Sequence, residues 1–570
     1  MALTEELIIP YMDMGAYPAC SNVRWVEYPG RCNYVKLTAE CTSVGSFVDY
    51  VNLYYCILEP LSPFQEFLAM STVFLTCIVI FFILNITADR FFCPALKVIA
   101  TVFGMSEHLA GVTLVAFGNG SPDLFSTLSS VRDFSRAIFS DMTGGAIYVV
   151  NFVAGLICVF APFQMQGYNI LRDVSFLTLA FLYIEYAIIS DGKVTTKEST
   201  RMLIIYFTYL TIILFDQYLL KRGISRLEKI LRRRPFLPER TKEEIRAEIN
   251  ILRAEADMQL LSRVSKTSVI STEERRVSSY IQDVGSNNKL IAQFLNSINP
   301  FEEGEWENGT KFQRSTLILK IPIRLMLLLF MPICDYELDA HGWSKLLNCL
   351  QVAYMPLGSL CCLFRNKFYL IINYVRLMVL LIPPAAFYLF LRTKTYRPPK
   401  YHVMFALLTT YGSMFIIYTC ACEVVQVLHI FGLILGKSKA FLYCTILAWG
   451  NGVGDLVSNL TFAFGGYQKM GFAACLGAPF FNTLLGVGTV YLYRCTNGER
   501  GFTPARTGYL GENSFVFLIV TLSCLLTWTL STNYYARRIM GLFHVAFYIL
   551  FVGYAYMVET EFMQTFAPFG

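Results

Sequence analysis

The residues of this chain best equipped for chemistry occur twice. Ala116-Phe-Gly-Asn-Gly-Ser-Pro-Asp-Leu-Phe-Ser126 and Ala448-Trp-Gly-Asn-Gly-Val-Gly-Asp-Leu-Val-Ser458 are identical at seven of eleven positions. Each copy sets an asparagine and an aspartate among glycines inside a hydrophobic stretch long enough to enter a membrane, where ionisable groups are costly and mark ion or proton paths. A glycine-rich break in such a helix frees backbone carbonyls, which is tolerable only where the segment is buried in protein or lines a wet cavity. Freed carbonyls are cation ligands, and a hard divalent ion such as Ca2+ takes about six to eight oxygens from carboxylates, amides, backbone and water. Asp123 and Asp455 would supply two negative charges; Asn119 and Asn451, one turn earlier on the same faces, would supply amide oxygens. Two carboxylates at one site disfavour its being empty, so a competing cation or a proton should replace the ion that leaves. That is an electrostatic basis for antiport. Asn and Asp also cap helix breaks in loops, but an apolar flank and duplication favour the ion site. The glycines suit close helix packing as well, and the two roles are compatible.

The elements that must carry these motifs are membrane helices. Of the 570 residues, 55% are hydrophobic, 15% aromatic and 15% charged, a composition too apolar for an ordinary soluble domain. The net charge of +6 lies largely beside apolar runs, as lipid-facing flanks do, and no nucleic-acid module is present. Taking about 20 apolar residues per crossing, helices are expected near 66–87, 106–130, 142–163, 171–190 and 201–220, and again near 402–434, 437–463, 471–493, 514–531 and 537–557. Each motif falls in the second helix of its block of five. If the blocks are inverted repeats, an even number of crossings separates them. The runs 345–364 and 368–391 then form a spanning pair, and 318–334, interrupted by Pro322 and Pro332, an interfacial or re-entrant segment.

Positive charge tests this arrangement: it places the Lys221 loop, the Arg392-Lys394-Arg397-Lys400 linker and Arg537-Arg538 on one side, as the positive-inside rule asks. The expected fold is therefore an all-α polytopic membrane protein of two inverted five-helix repeats plus about two extra helices. The corresponding divisions are 1–65, a polar cysteine-containing segment; 66–220, the first repeat; 221–317, a solvated mixed-charge loop; 318–401, linking hydrophobic segments; 402–557, the second repeat; and 558–570, a tail.

Residues Met1 to Ala19 are acidic and lack Lys, Arg and a continuous apolar core, so neither a conventional signal peptide nor a transit peptide is expected there. Four of the 17 cysteines, Cys20, Cys32, Cys41 and Cys56, fall in the N-terminal segment. Two disulfides could use them in an oxidising compartment; free thiols in a reducing one are the alternative. In the central loop, Arg275-Arg276-Val-Ser278 would suit a basophilic kinase, although a plain solvated charge run has the same appearance. Glu423, in the helix before the second motif, could face the ion cavity or be a helix-paired carboxylate. His108 and His429 read as polar contacts at helix ends, with proton sensing as the alternative.

The stretch from Gly111 to Ser126 resembles the first alpha-repeat of the cation/Ca2+ exchanger superfamily. It is most similar to the mitochondrial-type sodium/calcium exchanger branch, which carries Gly-Asn-Gly-x-Pro-Asp where the plasma-membrane branch has a glutamate. The second repeat matches at Leu447-Ala-Trp-Gly-Asn451 and Gly454-Asp455, and similarity extends to the N-terminal cysteines, Ser297-Ile-Asn-Pro300 and Gly477 to Gly488. The resemblance implies ten core helices, an ion site at the membrane midplane and alternating access. It further implies that Asp123 and Asp455 carry the central Ca2+, with Asn119 and Asn451 flanking. Asn482, on the partner helix of the second repeat, falls on a family ligand position, where the first repeat has Val149.

Departures from the family pattern concern the coupling ion. Gly120, Gly145, Gly452 and Ala478 align where sodium-coupled relatives often offer hydroxyls, which are natural Na+ ligands. The second motif ends Ser458-Asn459 where the branch often has Ser-Asp. Exchange of Ca2+ for Na+ is the primary expectation, with H+, Li+ or K+ coupling as the alternative. Such a protein is a secondary transporter and no enzyme; Ca2+ and the counter-ion are its cargo, the lipid bilayer is its partner, no cofactor is implied and a homo-oligomer is allowed. Gly452-Val-Gly-Asp455 also matches a motif of intramembrane aspartyl proteases, but such enzymes pair two aspartates and do not require the whole motif duplicated. A non-coupled channel or a sensor is a further alternative. The resemblance points to the mitochondrial inner membrane, with the plasma membrane as the other location.

Overall fold

The computed structural model describes residues 20–26, 30–38, 41, 47–58, 63–120, 138–189, 194–234, 236, 238–255, 286–300, 311–336, 338–363, 368–395, 398–435, 439–496, 508–560 and 562. Among them, eight helices are long and apolar enough to cross a membrane: 64–102, 142–160, 196–233, 375–392, 403–424, 468–496, 513–531 and 538–559. Of the four other expected spans, 106–130 lies partly outside the described residues, and three fall short among them. The helix Gly167–Ile189 carries Arg172, Asp173 and Glu185, Lys345–Leu363 carries Asn348 and Gln351, and the second motif helix is broken by a glycine into two pieces.

Two helices run on past the ends of their apolar stretches. The first helix passes the Asp89-Arg90 pair through a π-helical turn at Ala88–Phe92 and continues to Val102. The helix Thr196–Arg233 likewise does not stop at 220 but runs 13 residues further. The start of the segment expected as a solvated loop is thus helical. Glu239–Glu255 folds back on this extension, burying Ile224 against Ile249 and pairing Arg253 with Glu228 at 2.7 Å. The polar faces point outward and a narrow leucine-isoleucine seam holds the hairpin, as amphipathic spacing allows. The run 318–334 belongs to a helix, Lys311–Phe330, that passes through Pro322 and ends before Pro332.

Within the membrane bundle the two blocks interlock at glycines, where the absence of a side chain lets backbones approach. A Cβ on Gly477 would stand 2.9 Å from the backbone of Val112, and one on Gly144 would stand 2.6 Å from the carbonyl of Cys444. Each motif helix therefore packs on a helix of the other block. Direction is visible at the helix ends: Lys97, shortly before the first motif helix begins, lies 4.2 Å from the ring of Tyr467, shortly after the second motif helix finishes. On that same face, Phe163–Gln164 pairs antiparallel with Tyr535–Ala536.

The N-terminal cysteines form two disulfides, Cys20–Cys41 and Cys32–Cys56. The segment they staple packs Val23, Val35, Tyr54 and Tyr55 against Ala69 and Val73 of the first helix and Val427, Ile430 and Leu433 of the helix Val403–Leu435.

Candidate functional site

Both motif helices lose regular α geometry in the turn before their asparagine. π-helical turns occupy Gly111–Val115 and Tyr443–Leu447, and aligning Ala116 with Ala448 makes these the same repeat positions. The partner helices repeat the device at Tyr148–Val153 and Phe481–Val487, which match when Val149 is aligned with Asn482. A π turn widens the helix, leaves carbonyls without their usual amide partner and is frequent at functional sites. The second motif helix is also interrupted at Gly452, where the chain leaves helical geometry between Asn451 and Val453.

These distortions bring a polar cluster together across the two blocks. Asn119 Nδ2 donates to Asp455 Oδ1 at 3.0 Å and lies 3.2 Å from Asn459 Oδ1. Ser458 Oγ donates to Asn119 Oδ1 at 2.9 Å, with the carbonyl of Gly454 at 2.7 Å as its other acceptor. All four side chains are buried. A buried carboxylate is retained only where donors or a cation compensate it, and here an amide from a residue 336 positions away does so. Below the cluster, Asn459 Nδ2 reaches Cys475 Sγ at 3.4 Å.

Of the five candidate residues, Asn119 and Asp455 meet directly. Asn482 stands beside the first motif: its Oδ1 would lie 2.6 Å from a Cβ on Gly120. Asn451 is half-buried immediately before the break. Asp123 and Ser278 lie outside the described residues. Among the described residues no group of three or more His, Cys, Asp or Glu side chains converges as a metal site. Sequence reasoning did not include Ser458 and Asn459 in the site. Ser458 could have been found, since the serine closes both copies of the motif.

Space left by glycine is filled by aromatic rings. A Cβ on Gly452 would approach the Tyr148 ring to 2.5 Å, and one on Gly120 the Phe481 ring to 2.7 Å. Tyr148 and Phe481 occupy equivalent places in the two partner helices, so each block closes the other's motif with a ring. Glu423 does not join the site: it accepts a hydrogen bond from the backbone N–H of Phe47 and is engaged by Tyr50, both from the disulfide-stapled segment.

Helices that cross a membrane, two antiparallel motif helices with π turns, the second of them broken at Gly452, and a buried amide-carboxylate cluster between them define a polytopic membrane protein with an internal polar locus. The chain matches the family described as sodium/calcium exchanger protein over residues 73–215 and 405–557, and it belongs to that family. It is 30% identical over 507 residues to the mitochondrial sodium/calcium exchanger protein of Gallus gallus, covering 84% of this chain and 80% of the relative. Over 478 residues it is 29% identical to the protein of the same name from Homo sapiens, covering 82% and 77%. Among solved structures, the sodium-calcium exchanger NCX_Mj aligns over 85% of this chain and 97% of its own, with 11% identity and a TM-score of 0.42.

Proposed function

We propose that this protein is an antiporter that exchanges Ca2+ for Na+ across a membrane by alternating access. The observation that carries the reading is the buried contact between Asn119 of one motif and Asp455 of the other: a single locus assembled from both blocks changes its exposure when the blocks move relative to each other. Asp123, Asp455, Asn119, Asn451 and Asn482 are the residues assigned to hold the cation, with Ser458 and Asn459 bracing Asn119. The opposed directions of the motif helices and the π turns at matching positions support two inverted five-helix repeats, 66–220 and 402–557, with the remaining divisions as drawn from the sequence.

Proton-coupled exchange is the second reading. Rings of Tyr148 and Phe481 crowd Gly452 and Gly120, where hydroxyl ligands for Na+ would otherwise project. The names of the relatives support a mitochondrial location, the family resemblance points to the inner membrane, and the two disulfides support exposure of the N-terminal segment to an oxidising compartment. Calcium flux into proteoliposomes under opposed Na+, K+, Li+ or pH gradients tests the proposal. Uptake driven by outward Na+ alone is the expected result, uptake driven by the pH gradient selects the second reading, and gradient-independent flux overturns antiport.

A further inference from the structure

The hydrogen bonds of Asn119 have a direction. A carboxylate accepts hydrogen bonds and donates none, so the amide nitrogen of Asn119, and not its oxygen, faces Asp455 at 3.0 Å. The same nitrogen has Asn459 Oδ1 as its other acceptor at 3.2 Å, and the amide oxygen is turned away to the hydroxyl of Ser458 at 2.9 Å. A hard cation beside Asp455 needs oxygen ligands. An N–H aimed at the same carboxylate oxygen takes up its lone pair and presents positive charge to the ion. In this arrangement Asn119 occupies the cation's place beside Asp455 and does not ligate.

The surroundings of the amide serve two orientations unequally. Ser458 Oγ is within reach of two acceptors, Asn119 Oδ1 and the carbonyl of Gly454 at 2.7 Å, but a hydroxyl has one hydrogen. With that hydrogen on Asn119 Oδ1, the arrangement described is satisfied. With it on Gly454, a lone pair of Ser458 is free to receive the nitrogen of a half-turned Asn119, whose oxygen then faces the space beside Asp455. Asn459 suits the first orientation alone, because its Oδ1 would oppose an oxygen brought opposite it. It is held from behind: its Nδ2 reaches Cys475 Sγ at 3.4 Å, and a Cβ on Gly471 would stand 2.5 Å from its carbonyl. The helix Gln468–Phe480, which carries both Gly471 and Cys475, therefore sits directly on this residue. Asn119 is 4% exposed, and Ser458 and Asn459 are fully buried, so protein groups and not bulk water set the orientation.

We propose that the Asn119 amide is a two-position stand-in for the cation, with Asn459 as the positioning residue that favours its empty-site position. In the empty site the amide satisfies Asp455 through N–H; on loading it turns and offers its oxygen to the ion. Loading breaks the bonds of Asn119 to Asp455 and Asn459 and reverses the direction of the one to Ser458. Apparent affinity is reduced by the fraction of molecules in which the oxygen faces the site. The consequence for exchange is release: an internal competitor for Asp455 lets each cation leave so that the next can enter.

The inference rests on the antiport reading, and measuring binding apart from transport distinguishes them. Equilibrium binding of radioactive Ca2+ is measured on the full-length protein in nanodiscs, and calcium flux in proteoliposomes, for the natural protein, Asn459→Leu and Asn459→Ala. Removing the Asn459 oxygen takes one hydrogen bond from the empty position alone. Both variants should therefore bind Ca2+ about fivefold more tightly, the net worth of one hydrogen bond, while maximal flux falls as release slows. Weaker binding would make Asn459 an ordinary ligand, and unchanged binding a merely structural residue; either result overturns the proposal. A second readout needs no change at Asn459. The infrared difference spectrum of the natural protein on saturation with Ca2+ should contain a shifted asparagine side-chain carbonyl band, lost in Asn119→Asp, which keeps an oxygen for the ion. Absence of that band in the natural protein overturns the stand-in. Tighter binding in the Asn459 variants with no flux in the natural protein supports the stand-in and overturns antiport, whereas a natural protein that binds no Ca2+ overturns both.

Discussion

The two halves of this molecule carry the same phrase and complete it differently. In the second half the motif helix breaks at Gly452 and the partner helix presents Asn482 toward the first motif. In the first half the equivalent partner position is Val149, buried and apolar, and the nearest amide on that helix is Asn151, two residues on. Asn151 is engaged elsewhere: its Nδ2 donates to Thr521 Oγ1 at 2.8 Å and its Oδ1 is 2.9 Å from His544 Nδ1. Its counterpart in the second half, Leu484, is fully buried. One half thus spends a partner-helix amide beside the site and the other spends it on the bundle. Duplication alone would make the proposed ion site two-fold symmetric; under that proposal these substitutions make it one-sided, with one amide oxygen fewer from the first block.

The largest test of this comparison removes the charge that both halves share. Asp455→Asn and Asp123→Asn should each reduce calcium flux to background while the protein still inserts and folds, because a divalent ion depends on carboxylate charge. Near-normal flux in either variant would break the equivalence of the halves. A smaller effect is expected at the position where they differ. Asn482→Val should raise the half-saturating Ca2+ concentration by about tenfold, equivalent to about 1.4 kcal/mol, whereas Val149→Asn should alter the counter-ion dependence with Ca2+ affinity nearly retained. Flux titrations against Ca2+ and Na+ check both, and equal effects of the two changes would erase the asymmetry. The smallest effects belong to the glycines. Gly452→Ala forces a methyl to 2.5 Å from the Tyr148 ring, whereas nothing lies within 4 Å of a Cβ on Gly145. The first should cost about 1–3 kcal/mol by overpacking, and the second should stay within about 0.5 kcal/mol. Thermal unfolding in detergent distinguishes them, and a reversed order would show that the ring yields.

Much of this was legible in the sequence, at particular places. The motif announced itself because Asn, Asp and Gly are costly in an apolar run unless they do something. Its partner helices followed from the family resemblance, and Gly144 and Gly477 on them are points of close approach. The helical extension beyond Lys221 was not, because a helix outside the bilayer can carry charge freely and is betrayed only by a sparse apolar seam such as Ile224, Leu227 and Leu231. Glu423 was open between cavity and pairing until Phe47, 376 residues away, supplied its partner. The cysteine pairing was likewise open, since four cysteines allow three connectivities and only distance selects Cys20–Cys41 and Cys32–Cys56.

By itself, then, the sequence determined that this is a multi-spanning helical protein of two related blocks with a carboxylate and an amide in each: apolar length, charge placement and duplication are properties read along a chain. Only the tertiary structure decided that Asn119 faces Asp455, Ser458 and Asn459, that tyrosine and phenylalanine rings fill the glycine notches, and that His108 closes on Asp173. Those are contacts between segments tens to hundreds of residues apart. Their strength depends on burial and on angstrom-scale approach, and no local pattern encodes which distant partner will arrive.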